Sequence, residues 1–249
     1  MSESIWRARL VRLRGVDPAL CAGRDIRLNN LAALTANKAG FVPRIVHGRP
    51  VKSINRFSNK REAQLQHKLG TTGTTRQTAQ MELLTSHRTR QIDHSVHTAS
   101  RRIIDLLIAE GIGTLVIGKH PLWKQNGCLS KRCNQNFVQV PHVRFIAMLS
   151  YKAALVGVQL HITEESYTSK ASFLDADPLP VYGAVDIPPF SGKRVKRGLY
   201  RAANGRRINA DVNGSYNTIR KALPDSFGQG IAGTAVCPVR LPIRTKRVA

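Results

Sequence analysis

The sequence predicts an α/β domain, a mixed sheet flanked by helices, on three observations. A meander of short strands opens the chain, two later apolar runs have strand length, and each of those runs follows an amphipathic helix.

The meander comes first. "ALCAGRDIRLNNLAALTAN" reads as two strands around a turn at Asn29 and Asn30, and "FVPRIVHGRP" supplies a third, bounded by Pro43 and Gly48. Ser53 is expected to cap a basic helix, "INRFSNKREAQLQHKL", with Ile54, Phe57, Arg61 and Leu65 toward one side. The polar stretch "GTTGTTRQTAQ" breaks that pattern and reads as a loop or hinge.

A stronger helix follows, in which Ile92, Val96, Ala99, Ile103 and Leu106 form an apolar stripe. Arg90, His94, His97 and Arg101 share another face, which is either a solvated polar face or a basic rail for a phosphate backbone. "GTLVIGK" is continuous enough to be a central strand buried on both faces. Pro141 then opens a helix that buries Phe145, Leu149, Ala153 and Val156 and ends at Gly157. "VQLHITEE" alternates as a strand, and after a Pro-rich loop "DVNGSYNTIRKAL" reads as a helix. The order βββ, α, β, α, β, α suits an RNase H-like fold. A doubly wound nucleotide-binding fold would open strand to helix through a Gly-rich phosphate loop, and none is present. The expected layout is a basic extension over 1–18, the α/β domain over 19–224 and a basic tail over 225–249.

Charge narrows the function. Among 249 residues, 39 Lys and Arg stand against 15 Asp and Glu, a formal net charge of +24. Self-repulsion of that size needs a neutralising partner, and nucleic acid fits best. The sequence has no apolar run near the roughly 20 residues that span a bilayer, nor a signal peptide, so a cytoplasmic, nucleoid-associated location is expected. Cys21, Cys128, Cys133 and Cys237 form no paired CxxC framework and read as reduced thiols.

In so basic a chain each clustered acid needs its own reason. Asp25 lies on the first strand, Glu164 and Glu165 close the strand that begins at Val158, and Asp211 opens the last helix. In an open α/β sheet these positions can meet in one crevice. Such a set suits phosphodiester hydrolysis, in which carboxylates hold two divalent cations about 3.5 to 4 Å apart. Asp211 could equally cap its helix, Asp25 could pair with Arg24 or Arg27, and the two glutamates could be surface acids.

"AGRDIRLNNLAALT", "LSYKAALVGVQLHITEESYTSKASF" and "NADVNGSYNTIRK" together, in this order, resemble motifs of the TnpB family over about residues 20 to 223. These are transposon-encoded, RNA-guided DNA endonucleases, formerly labelled OrfB transposases and related to type V CRISPR effectors. The resemblance implies a RuvC-type, RNase H-like nuclease core in which Asp25 and Asp211 are two members of a metal triad. In the commoner pattern a Glu ends the central strand, but "LVIGKH" has Gly118 there; "EESYTSK" resembles the relocated Glu of Fanzor-type relatives and implies Glu165 as the third, in preference to Glu164.

The resemblance further implies Mg²⁺ or Mn²⁺ as cofactor and DNA and guide RNA as partners. The family's zinc ribbon would fall before the third motif, where this chain has no Cys, so no zinc is expected. "GKRVKRGLY" is expected to lie along the strand, with Lys193, Arg194, Lys196 and Arg197 on phosphates and Tyr200 stacked on a base. Fewer than 25 residues precede the first motif, and Arg24 and Arg27 flank Asp25. Both features favour an alternative, a truncated, nuclease-dead relative that only binds nucleic acid.

Overall fold

The computed structural model describes residues 15–25, 30–71, 78–119, 141–228 and 234–241, and for Asp25 the backbone alone. The turn with Arg27 and the loop with Cys128 and Cys133 lie outside the described residues.

Nine strands and four α-helices are described in chain order. They are β1 (Asp17–Asp25), β2 (Asn30–Ala36), β3 (Arg44–His47), α1 (Arg49–Thr71), α2 (Ala79–Ala109), β4 (Ile112–Gly118), α3 (His142–Leu155) and β5 (Gln159–Thr163), then β6 (Lys193–Lys196), β7 (Leu199–Arg201), β8 (Arg207–Asn209), α4 (Ala210–Ala222) and β9 (Val239–Leu241). The main sheet has the order β5-β4-β1-β2-β3-β9. β1, β2 and β3 are antiparallel, while β4 runs parallel to β1 and β5 parallel to β4. This is the RNase H-like arrangement that the element order predicts.

Alternation along β1 divides the interior in two. Ala22 joins a large core with Val96, Ile103, Ile104 and Leu107 of α2 and Phe145 and Leu149 of α3. Cys21 joins a smaller core with Tyr216 and Ile219 of α4, Phe173, Tyr200 and Ile208. β4 is buried at every position, as its unbroken apolar run requires. Each fully buried Leu or Ile of this kind contributes about 1.5–3 kcal/mol.

Four local expectations change. α1 starts at Arg49 rather than after Ser53, with Pro50 in the first turn and the Lys52 N–H already donating to the Gly48 carbonyl at 3.0 Å. Its buried face is therefore Val51, Asn55 and Ser58, and Phe57 is 66% exposed. α2 starts at Ala79, capped by Thr78, so the end of the polar stretch is helical. The basic run "GKRVKRGLY" is not a loop but the first two strands of a separate sheet, β6-β7-β8. Within the expected basic tail, the described strand β9 pairs with β3 as a parallel edge strand.

Candidate metal centre and nucleic-acid interface

The small and amide residues of "NADVNGSYN" explain how α4 reaches the sheet. A Cβ at Gly23 would stand 2.3 Å from the Ser215 carbonyl oxygen and 2.5 Å from Ile219 Cγ1, so only glycine allows β1 this close to the helix. Ser215 Oγ donates between the Gly23 and Ala33 carbonyls, at 2.8 and 3.0 Å. Its single proton is thereby used, so the Thr35 hydroxyl donates to it at 2.9 Å. Asn213 accepts from the Phe173 N–H at 2.9 Å and donates to the Ala171 carbonyl at 2.8 Å, and Asn217 donates to Thr168 and Ala171. The amides thus clamp the loop after β5 to the helix.

Asp211 does not cap α4. Asn209 does, accepting from the Asp211 and Val212 N–H groups at 3.0 and 3.2 Å. The Asp211 carboxylate is 8% exposed by residue and turned sideways, where Asn30 Nδ2 donates to Oδ2 at 2.6 Å. Arg194 Nη2 lies 3.8 Å from Oδ1.

The loop after β5 sorts its two glutamates. Glu164 is ion-paired to Lys221 at 2.6 Å and accepts from the Ser166 N–H at 2.8 Å. Burial pushes its carboxyl up, but the bonds from Lys221 and Ser166 outweigh that and hold it below the ordinary value. Glu165 instead lies over Gly118: a Cβ at residue 118 would be 3.0 Å from both Cβ and Oε2 of Glu165, and 3.4 Å from Thr218 Cγ2 of α4. The Glu165 carbonyl is held by the Thr168 hydroxyl at 2.9 Å. A carboxylate from the loop therefore occupies the space that a side chain on the end of β4 would fill.

Asp25 is the last residue of β1, paired with Ala33, the residue whose carbonyl meets Ser215. Asp211 is one helical turn before Ser215. Arg24 pairs with Ile117, so β1 and β4 end side by side at Asp25 and Gly118. Arg24 itself, fully buried, has its guanidinium 3.9 Å from the centre of the Phe145 ring, on the α3 side of the sheet. This is a cation–π contact, and any pairing of Arg24 with the Asp25 side chain lies outside the described residues. Among the described residues, no three His, Cys, Asp or Glu side chains stand close enough to hold an ion; the Asp25 carboxylate is outside that description. The residues fit a hard divalent cation nonetheless: Glu165 and Asp211 offer only oxygens, and Gly118 leaves room for one of them.

Lys193, Arg194, Lys196 and Arg197 are exposed on β6 and its turn. Lys193 faces Arg201, and Arg201 faces Arg207, so three like charges stand in a row across three strands. Such a row is destabilising by itself and suits a polyanion. Tyr200 departs from the expected role. It is 1% exposed, donates to the Lys170 carbonyl at 2.8 Å and belongs to the smaller core, so its ring cannot stack on a base. Burial pushes the phenol up to about 12, with Asp177 and Asp175 adding to it.

Arg90, His94, His97 and Arg101 do share an exposed face of α2. Two of them are engaged: Arg101 pairs with Asp105 at 2.8 Å, and His97 meets Tyr151 and the buried Lys152 of α3 at 3.5 and 3.2 Å. Nothing local in the sequence separates Lys152, Arg201 and Arg207 from the many other cations.

Two family models match the chain. Residues 11–122 match OrfB_IS605, described as a probable transposase, and residues 142–218 match the Cas12f1-like TNB domain. Together these matches support a TnpB-family protein. No curated protein matches this sequence. Among solved structures, a Cas12f1–sgRNA–target DNA complex superposes with a TM-score of 0.58 at 16% identity, over 84% of this chain and 51% of that one. A CRISPR–Cas12f ternary complex gives 0.62 at 17%, over 85% and 40%. The likeness lies in the fold, and this chain spans about half the length of those proteins or less.

Proposed function

We propose that this chain is the nuclease core of a TnpB-type, RNA-guided DNA endonuclease. DNA as substrate and guide RNA as partner follow from the family and from the contents of the Cas12f1 complex it resembles. The observation that carries the reading is Glu165 resting on Gly118, a loop carboxylate in the place of a strand-end acid.

Asp25, Glu165 and Asp211 would hold Mg²⁺ or Mn²⁺. Bound there, such cations supply a water of lowered pKa and Lewis acidity toward the phosphoryl oxygens. The protein's part is placement. Gly23 and Ser215 fix α4 against β1, which sets Asp211 beside the end of that strand. Asn213 and Asn217 fix the loop that carries Glu165. Lys193, Arg201 and Arg207 would neutralise phosphates of the bound strand, with Arg90 and His94 on a second exposed face.

Cleavage of single-stranded DNA with Mg²⁺ tests this: the wild type cuts, while Asp211→Ala and Glu165→Gln do not. Equal activity in all three rejects the triad. A second reading, a nucleic-acid-binding protein that does not cut, draws on the Arg194 guanidinium beside Asp211, where a cation would sit. It predicts no uptake of Mn²⁺ even with nucleic acid bound.

A further inference from the structure

Asn30 opens β2 and stands opposite His47, the last residue of β3. Its amide spans two partners: Nδ2 donates to Asp211 Oδ2 at 2.6 Å, and Oδ1 lies 3.1 Å from His47 Nδ1. An amide can be turned either way, and His47 decides which. The Nε2 of His47 is buried without a hydrogen-bond partner, so a proton there would be stranded, and the neutral ring carries it on Nδ1. Burial, with Arg240 and Arg49 adding to it, holds the imidazole below its ordinary pKa and so favours that neutral form. Nδ1–H then requires the amide oxygen, which turns the NH₂ toward Asp211. The flipped amide would set an oxygen against the carboxylate.

We propose that Asn30, oriented by His47, is a positioning residue that fixes the Asp211 carboxylate for cation binding, an inference that rests on the function proposed above. The bond uses Oδ2 and leaves Oδ1 on the side of Arg194, the side where a positive charge already lies. Because the donor is a neutral amide, it sets the geometry without cancelling the carboxylate's charge. Groups that orient a ligand in this way typically change metal affinity 10- to 100-fold.

Titration calorimetry with Mn²⁺ on the full chain tests it, with melting in EDTA to show that each variant is folded. Asn30→Ala and His47→Phe are each expected to weaken Mn²⁺ binding about tenfold. The double variant is expected to be no weaker than Asn30→Ala, because both act through one bond. His47→Gln, which keeps a donor, recovers most of the affinity. Wild-type binding together with an unchanged Asn30→Ala affinity, or with additive losses in the double variant, overturns the positioning role and leaves the metal centre standing. A wild type that takes up no Mn²⁺ overturns both.

Discussion

The carboxylate of Glu165 rests on Gly118: a methyl group on residue 118 would stand 3.0 Å from Glu165 Oε2. Two residues 47 positions apart thus meet, one bringing a carboxylate and the other leaving it room.

That relationship can be exchanged. Gly118→Ala moves the Glu165 side chain by a few tenths of an ångström, and cleavage is expected to drop at least tenfold while the melting temperature hardly changes. Glu165→Ala abolishes cleavage, and the double variant Gly118→Glu with Glu165→Ala restores part of it. Kinetics on the three variants check this. A double variant as inactive as Glu165→Ala would mean that a carboxylate from β4 cannot replace the one from the loop.

Gly23 is held to a stricter limit, because the atoms around its missing Cβ are the Ser215 carbonyl and Ile219 rather than a flexible tip. Gly23→Ala is expected to cost about 3 kcal/mol and to shift α4. Ser215→Ala, which leaves the Thr35 hydroxyl without its acceptor, should cost about 1–3 kcal/mol. Chemical denaturation measures both.

The row Lys193, Arg201 and Arg207 carries a paired prediction. Replacing all three by Ala should lower the slope of single-stranded DNA affinity against log salt by about 2. The same change should raise stability at low salt, since like charges no longer face one another. Tyr200→Ala should do the reverse, destabilising the smaller core without altering the slope.

Glu164 gives a pH dependence. Its folded carboxyl lies below the ordinary value of 4.5, so its contribution is present above that pH and is lost as pH falls through the folded value. Acid denaturation of Lys221→Met should therefore show a flatter loss of stability below about pH 4.5 than the wild type. An unchanged profile would mean that the pair does not stabilise the fold.

Much of this was legible where a residue pattern has one physical cause. The α2 stripe repeats with the helical period, and the run through β4 is apolar without a break, so the central layers could be read directly. Gly118 was legible as a missing acid only because "EESYTSK" offered another. The β6-β7-β8 sheet was hidden because its strands have three or four residues and carry their charges outward. Tyr200 misled for the same reason: among cations it looks like a stacking ring, but the register sets it beside Ile208, facing the core. The link from Asn30 to Asp211 joins residues 181 apart, and nothing in either local stretch announces it.

Anomalous diffraction from crystals grown with Mn²⁺ would show directly whether Asp25, Glu165 and Asp211 hold a cation. A peak is expected at the end of β1 within coordinating distance of Asp25, Glu165 and Asp211, with Arg194 displaced from Asp211. Well-ordered carboxylates with no peak among them at saturating Mn²⁺, and Arg194 still paired to Asp211, would contradict it.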